Sequence, residues 1–137
     1  MASGASVLKL RVLGPLEARL DGRPIPLGGA KQRSVLGVFL LRAGQVVPVQ
    51  RLVYELWPDE PPVSATHTLE VYVSRLRQLF NGYGPSLVRR GGGYVLDIGT
   101  AKLDARDFEE LARAVSEAAA SGDPQQVASL AKDALAL

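Results

Sequence analysis

His67-Thr68-Leu69-Glu70-Val71-Tyr72-Val73-Ser74-Arg75-Leu76-Arg77-Gln78-Leu79-Phe80 has two chemically different sides when wound at about 100° per residue. Together with Ala65, the residues Leu69, Tyr72, Val73, Leu76, Leu79 and Phe80 recur at the spacing of a core-facing stripe. His67, Glu70, Val71, Ser74 and Gln78 gather on the opposite side, and Arg75 and Arg77 project from its two flanks. Pro61 and Pro62 cannot stand in a helix interior, so the helix is expected to start after them with Ser64 as its N-cap. His67 and Thr68 then fall in or next to its first turn. Arginines on both flanks of an open face suit a groove walled by phosphates. Val71, an apolar side chain alone among polar ones, would find a partner in a thymine methyl. The segment is therefore a candidate recognition helix, the element whose N-terminal half reaches base edges in helix-turn-helix proteins.

Its neighbours fit that reading. Downstream, Leu87 to Asp97 holds two β-prone runs around Gly91-Gly92-Gly93, a hairpin signal, with Arg89 and Arg90 beside the tip to meet phosphate or the minor groove. Upstream, Lys31-Gln32-Arg33 opens a helix whose apolar residues include Val35, Leu36, Phe39 and Leu40, and Gly44 marks its stop. A cationic first turn opposes the helix dipole, and an outside anion such as a DNA phosphate would relieve it. Lys31, Gln32 and Arg33 are accordingly expected as phosphate contacts. A short helix near Val49 to Leu56 turns Leu52, Val53 and Leu56 towards the same core and ends at Trp57-Pro58. Trp57 is expected to be core. Helix, short helix, long helix and hairpin is the order of a winged helix-turn-helix. Ahead of it, Leu8, Leu10 and Val12, then Leu16, Ala18 and Leu20, then Ile25 and Leu27 alternate, with Gly14-Pro15 and Asp21-Gly22 as turns. A small antiparallel sheet leading a winged helix is the OmpR-type variant, an α+β fold.

Composition separates the chain into two parts. Its 137 residues allow one ordinary domain and part of another. Residues 1 to 100 hold 12 Lys/Arg against 7 Asp/Glu, whereas 101 to 137 hold 4 against 7, so the basic part is the part with the candidate helix and hairpin. In the acidic part Asp104 is expected to cap a helix, with Leu103 and Phe108 as a hydrophobic staple and Leu111, Ala112, Val115, Ala118 and Ala119 as its stripe. Gly122-Asp123-Pro124 stops that helix and starts another, with Asp123 at N-cap, Pro124 at N1 and Gln126 at N3. Val127, Leu130, Ala131, Ala134 and Leu135 form the second stripe. The pair resembles the first unit of a helical-repeat domain, which buries its face by stacking on further units. The expected division is 1–100 and 101–137.

Several function classes lose support. The chain has no cysteine and one histidine, His67, so it offers neither thiolate nor paired-histidine metal sites, and no metal or cofactor is expected. It lacks a GxxxxGK[ST] loop and a GxGxxG fingerprint, and Gly28-Gly29-Ala30-Lys31 lacks the spacing of a phosphate cradle, so an enzyme is disfavoured. No run approaches membrane-spanning length, and Met1 to Ser6 is a short small-residue lead without the apolar core of a signal peptide, so a cytoplasmic protein with no membrane partner is expected. The rival reading is a winged helix used for protein docking, with the basic surface idle.

Arg11-Val12-Leu13-Gly14-Pro15-Leu16-Glu17, Lys31-Gln32-Arg33, Leu56-Trp57-Pro58 and Tyr72-Val73-Ser74-Arg75-Leu76-Arg77 together resemble the Streptomyces antibiotic regulatory protein (SARP) family over nearly the whole chain. The resemblance implies an OmpR-type DNA-binding domain to about residue 100, then the opening of a bacterial transcriptional activation domain. It implies an activator that binds direct repeats upstream of biosynthetic gene clusters as a head-to-tail pair and recruits RNA polymerase holoenzyme through its sigma and alpha subunits. Carried over by position, His67, Thr68, Val71, Tyr72, Ser74, Arg75 and Arg77 stand where such helices meet DNA, and Arg90 where the wing enters the minor groove. His67 occupies a position often held by arginine, so its contact is expected to be weaker or pH-dependent near neutrality. Gly92 replaces a wing residue that often carries a side chain, which leaves more to Arg89 and Arg90. Trp57 to Val63 lies where the family touches polymerase, with Trp57, Asp59 and Glu60 as candidate contacts. A proline-stiffened acidic loop that only sets the helix angle is the alternative there.

Overall fold

A computed structural model describes residues 7–137, and the lead Met1 to Ser6, with the expectation attached to it, lies outside them. The alternating N-terminal residues form β1 (Leu8–Arg11), β2 (Glu17–Leu20) and β3 (Arg23–Pro24). Leu8, Leu10 and Ala18 turn inward while Lys9, Arg11 and Arg19 stay exposed. Asp21 and Gly22 join β2 to β3 with φ of 51° and 83°, the double positive φ that a type I′ hairpin requires. Next come α1 (Ala30–Leu41), β4 (Val46–Pro48), α2 (Val49–Leu56), α3 (Ala65–Phe80), β5 (Ser86–Arg90) and β6 (Gly93–Asp97). A two-residue strand β7 (Lys102–Leu103) leads into α4 (Asp104–Ser121), and α5 (Pro124–Leu135) comes last.

Two small sheets frame the helices, one ordered β3-β2-β1-β7 and the other β4-β6-β5. Between them Val35, Leu36, Phe39, Leu52, Leu69, Leu76, Phe80 and Leu96 form one continuous buried core. Phe39 meets Tyr94 edge to face, with ring centroids 6.5 Å apart. The expected α+β order holds, and β4 and β7 add to it. β4 pairs with β6, Val47 opposite Tyr94, which turns the expected hairpin into a three-stranded sheet. β7 runs parallel to β1, Leu103 opposite Leu10, and closes the first sheet.

That closure changes the reading of residues 101–104. Ala101 and Leu103, just past the division expected after residue 100, belong to the main core. Asp104 does not cap α4. The backbone N–H groups of Val12 and Leu13 donate to its carboxylate at 2.9 and 3.2 Å, so it ties the end of β1 to the start of α4. Leu103, buried in the sheet, takes the cap position without a side-chain bond, and Phe108 is 39% exposed, so no staple forms. The turn into α5 is as expected: Gly122 adopts φ 81°, and Asp123 accepts from the N–H groups of Gln125 and Gln126 at 3.1 and 3.2 Å. α5 buries no residue fully, and α4 buries only Asp104 and Ala118.

Candidate nucleic-acid interface

α3 presents the two sides read from its sequence. Ala65, Leu69, Val73, Leu76 and Phe80 are buried, and Tyr72 and Leu79 pack half-buried against the same core. His67, Glu70, Ser74, Arg75, Arg77 and Gln78 are exposed, and Thr68 and Val71 are half-buried. Ser64 holds the N-cap position without a side-chain bond; its carbonyl accepts the Thr68 N–H at 2.9 Å.

Arg77 joins the helix to the wing. Its Nε–H donates to the Leu87 carbonyl at 2.7 Å, and its guanidinium lies 5.9 Å from the centre of the Tyr94 ring. Arg89, directly across the ladder from Tyr94, lies 5.6 Å from the same ring. These contacts organise the cations around one nearly buried aromatic, within the roughly 6 Å reach of a cation–π attraction. Sequence alone does not single out Tyr94, which alternates with Leu96 like any core residue. Successive strand residues point to opposite faces, so Arg89 and Arg90 do not act as a pair. Arg90, opposite Gly93, stands at the turn and is exposed.

The wing turn is short and fixed. Gly91 takes φ 58°, and the Gly92 carbonyl accepts the Val49 N–H of α2 at 3.1 Å, so Gly92 contributes its backbone where it has no side chain to offer. A Cβ on Gly93 would collide with the Val47 carbonyl, and glycine alone lets β6 approach β4 this closely. The Gly92 end of the turn is therefore tied to the start of α2, while Gly91 stays exposed.

The three side chains at the start of α1 expected as phosphate contacts each make a hydrogen bond within the protein. The Gln32 amide is buried and donates to the Leu27 carbonyl at 3.1 Å. Arg33 donates to the Leu16 carbonyl at 2.6 Å, and Lys31 to the Leu56 carbonyl at 3.0 Å. Arg75 comes close to them: with Gln78 it lines a shallow hollow shared with Gly28, Gly29 and Gln32. Among the described residues the ion pairs are Arg11–Glu17, Arg19–Glu17 and Arg51–Glu55, and none engages Arg75, Arg77, Arg89 or Arg90.

On the other side of α2, Trp57 is half-buried against the core while Asp59 and Glu60 are exposed. Val49, Val53, Tyr54, Trp57, Pro58 and Pro61 line a hollow of about 430 Å³ beside these carboxylates. Among the described residues there is no helix long and apolar enough to cross a membrane, and no group of three or more His, Asp or Glu that could hold a metal.

Residues 22–96 match the family described as "Transcriptional regulatory protein, C terminal". The regulatory protein AfsR of Streptomyces coelicolor is 36% identical over 98% of this chain and 13% of its own length. The regulatory protein DnrI of Streptomyces peucetius is 34% identical over 85% of this chain and 46% of its own. The solved structure of Mycobacterium tuberculosis EmbR in complex with a low affinity phosphopeptide superposes with a TM-score of 0.82 at 34% identity, over 95% of this chain and 35% of that one. The chain thus spans less than half the length of these relatives. Its leading sheet, its α3 packed against a glycine-turned wing and these matches agree: the chain belongs to the SARP family of OmpR-type, DNA-binding transcriptional regulators.

Proposed function

We propose that the chain is the promoter-reading part of a transcription activator that binds direct repeats as a head-to-tail pair and engages RNA polymerase holoenzyme through its sigma and alpha subunits. In this reading α3 lies in the major groove: His67, Thr68, Val71 and Ser74 face the bases, Tyr72 supports them from the helix flank, and Arg75 and Arg77 hold the phosphates on either side. Arg90 reaches the minor groove from the wing turn, and Arg89 backs it from the Tyr94 stack. The first turn of α1 contributes backbone N–H groups beside Arg75 in place of its side chains. The observation that carries the reading is the Arg77 to Leu87 bond, which fixes the arginine-flanked face of α3 and the wing as one surface.

The second surface, Trp57 with Asp59 and Glu60 beside the α2 hollow, is assigned to polymerase. Its carboxylates have no cationic partner among the described residues, and its floor is apolar. Direct repeats in promoters of secondary-metabolite gene clusters are the expected targets. Selection of bound sites from random duplexes tests the reading. A repeated motif whose affinity falls steeply with salt is expected, and a protein that retains no duplex at low salt would leave a protein-docking module in its place.

A further inference from the structure

From the two contacts made by its amine, we infer that Lys31 is a positioning residue for the Trp57-Pro58 corner, and through it for the loop proposed to meet polymerase, instead of a DNA contact. The inference rests on that proposal only for its effect on polymerase. A lysine in the first turn of a helix sits at the wrong end of the dipole, and α1 has no acidic residue there to offset it. The amine leaves that end altogether. It donates to the Leu56 carbonyl at 3.0 Å, in the last turn of α2, where carbonyls lack helical partners and the dipole favours a cation. α2 has no basic residue of its own in that turn, so α1 supplies it from across the helix pair.

The same amine stands 5.2 Å from the centre of the Trp57 ring, the residue at which α2 ends. One cation therefore holds the last carbonyl of the helix and the first side chain of the loop. Pro58, Pro61 and Pro62 stiffen that loop, so the direction set at Trp57 carries on towards Asp59 and Glu60. Gln32 and Arg33 brace α1 on Leu27 and Leu16, which fixes the base from which Lys31 reaches.

Trp57 is the single tryptophan of the chain, so its fluorescence reports this corner alone. In Lys31→Met the emission is expected to shift to the red with easier acrylamide quenching, while affinity for the selected duplex stays within about twofold and its salt slope is unchanged. Lys31→Arg, which can both donate to the carbonyl and stack on the ring, is expected to keep the wild-type emission. A salt slope lowered by about one in Lys31→Met, with Trp57 emission unmoved, would overturn the inference and restore a phosphate contact. Retention of polymerase holoenzyme on the bound duplex separates the two proposals. Loss of retention in Lys31→Met with DNA affinity intact supports both. A shifted Trp57 emission with full retention upholds the positioning role and removes the loop from the polymerase surface.

Discussion

Tyr94 links core and surface through one ring: it packs edge to face with Phe39 in the interior, and the guanidinium groups of Arg77 and Arg89 lie within 6 Å of its centre. Replacing it with leucine preserves apolar burial and deletes the attraction for Arg77 and Arg89. Duplex affinity is then expected to fall several-fold, in line with about 0.5–1 kcal/mol per cation–π contact, as read by fluorescence anisotropy. Unaltered affinity would show that the arginines are held well enough without the ring. Gly93 is constrained from the opposite direction. Gly93→Ala drives a methyl into the Val47 carbonyl and is expected to cost about 1–3 kcal/mol in urea unfolding, because β4 and β6 must separate to admit it. At Val71, half-buried on the α3 face, alanine is expected to relax the preference at one T·A pair by roughly a kcal/mol or less, read across a randomised site.

Among the elements, α3 is legible because its five buried residues repeat at helical spacing over four turns' worth of sequence, a signal that no partner is needed to read. β4 and β7 are not, since three residues and two residues are too few to show an alternation, and each exists only because a distant strand offers it a ladder. The start of α1 is only partly legible for a related reason. Lys31, Gln32 and Arg33 look like free polar ends in the linear chain, and their destinations at Leu56, Leu27 and Leu16 depend on how loops and helices cross. Strand alternation, legible in principle, already separates Arg89 from Arg90. With Arg89 held on Tyr94 and Arg90 open at the turn, Arg90→Ala is expected to weaken binding to all duplexes about equally, as a contact that positions without specifying should. A change confined to one base position would move Arg90 into the base-reading set.

Taken whole, the molecule is graded from a continuous core to a helical pair with little of its own. α5 has no fully buried residue, so its amides are expected to exchange with deuterium well before those of α1 and α3, by amounts that mass spectrometry of peptic fragments resolves. Equal protection in all three would mean that the pair is stabilised by contacts its burial does not reveal. The charge division falls near the same place, with the cationic excess in residues 1 to 100 and the acidic excess in residues 101 to 137.

The short strand β7 has a practical bearing on how the gene is cut. A polypeptide ended at residue 100, where composition invites the cut, would lose Leu103 from the core and bare the flank of β1, an unpaired ladder ready to recruit a neighbouring molecule. Moving the stop codon past Asp104 restores that strand and the carboxylate that clasps Val12 and Leu13, and should yield the more soluble product.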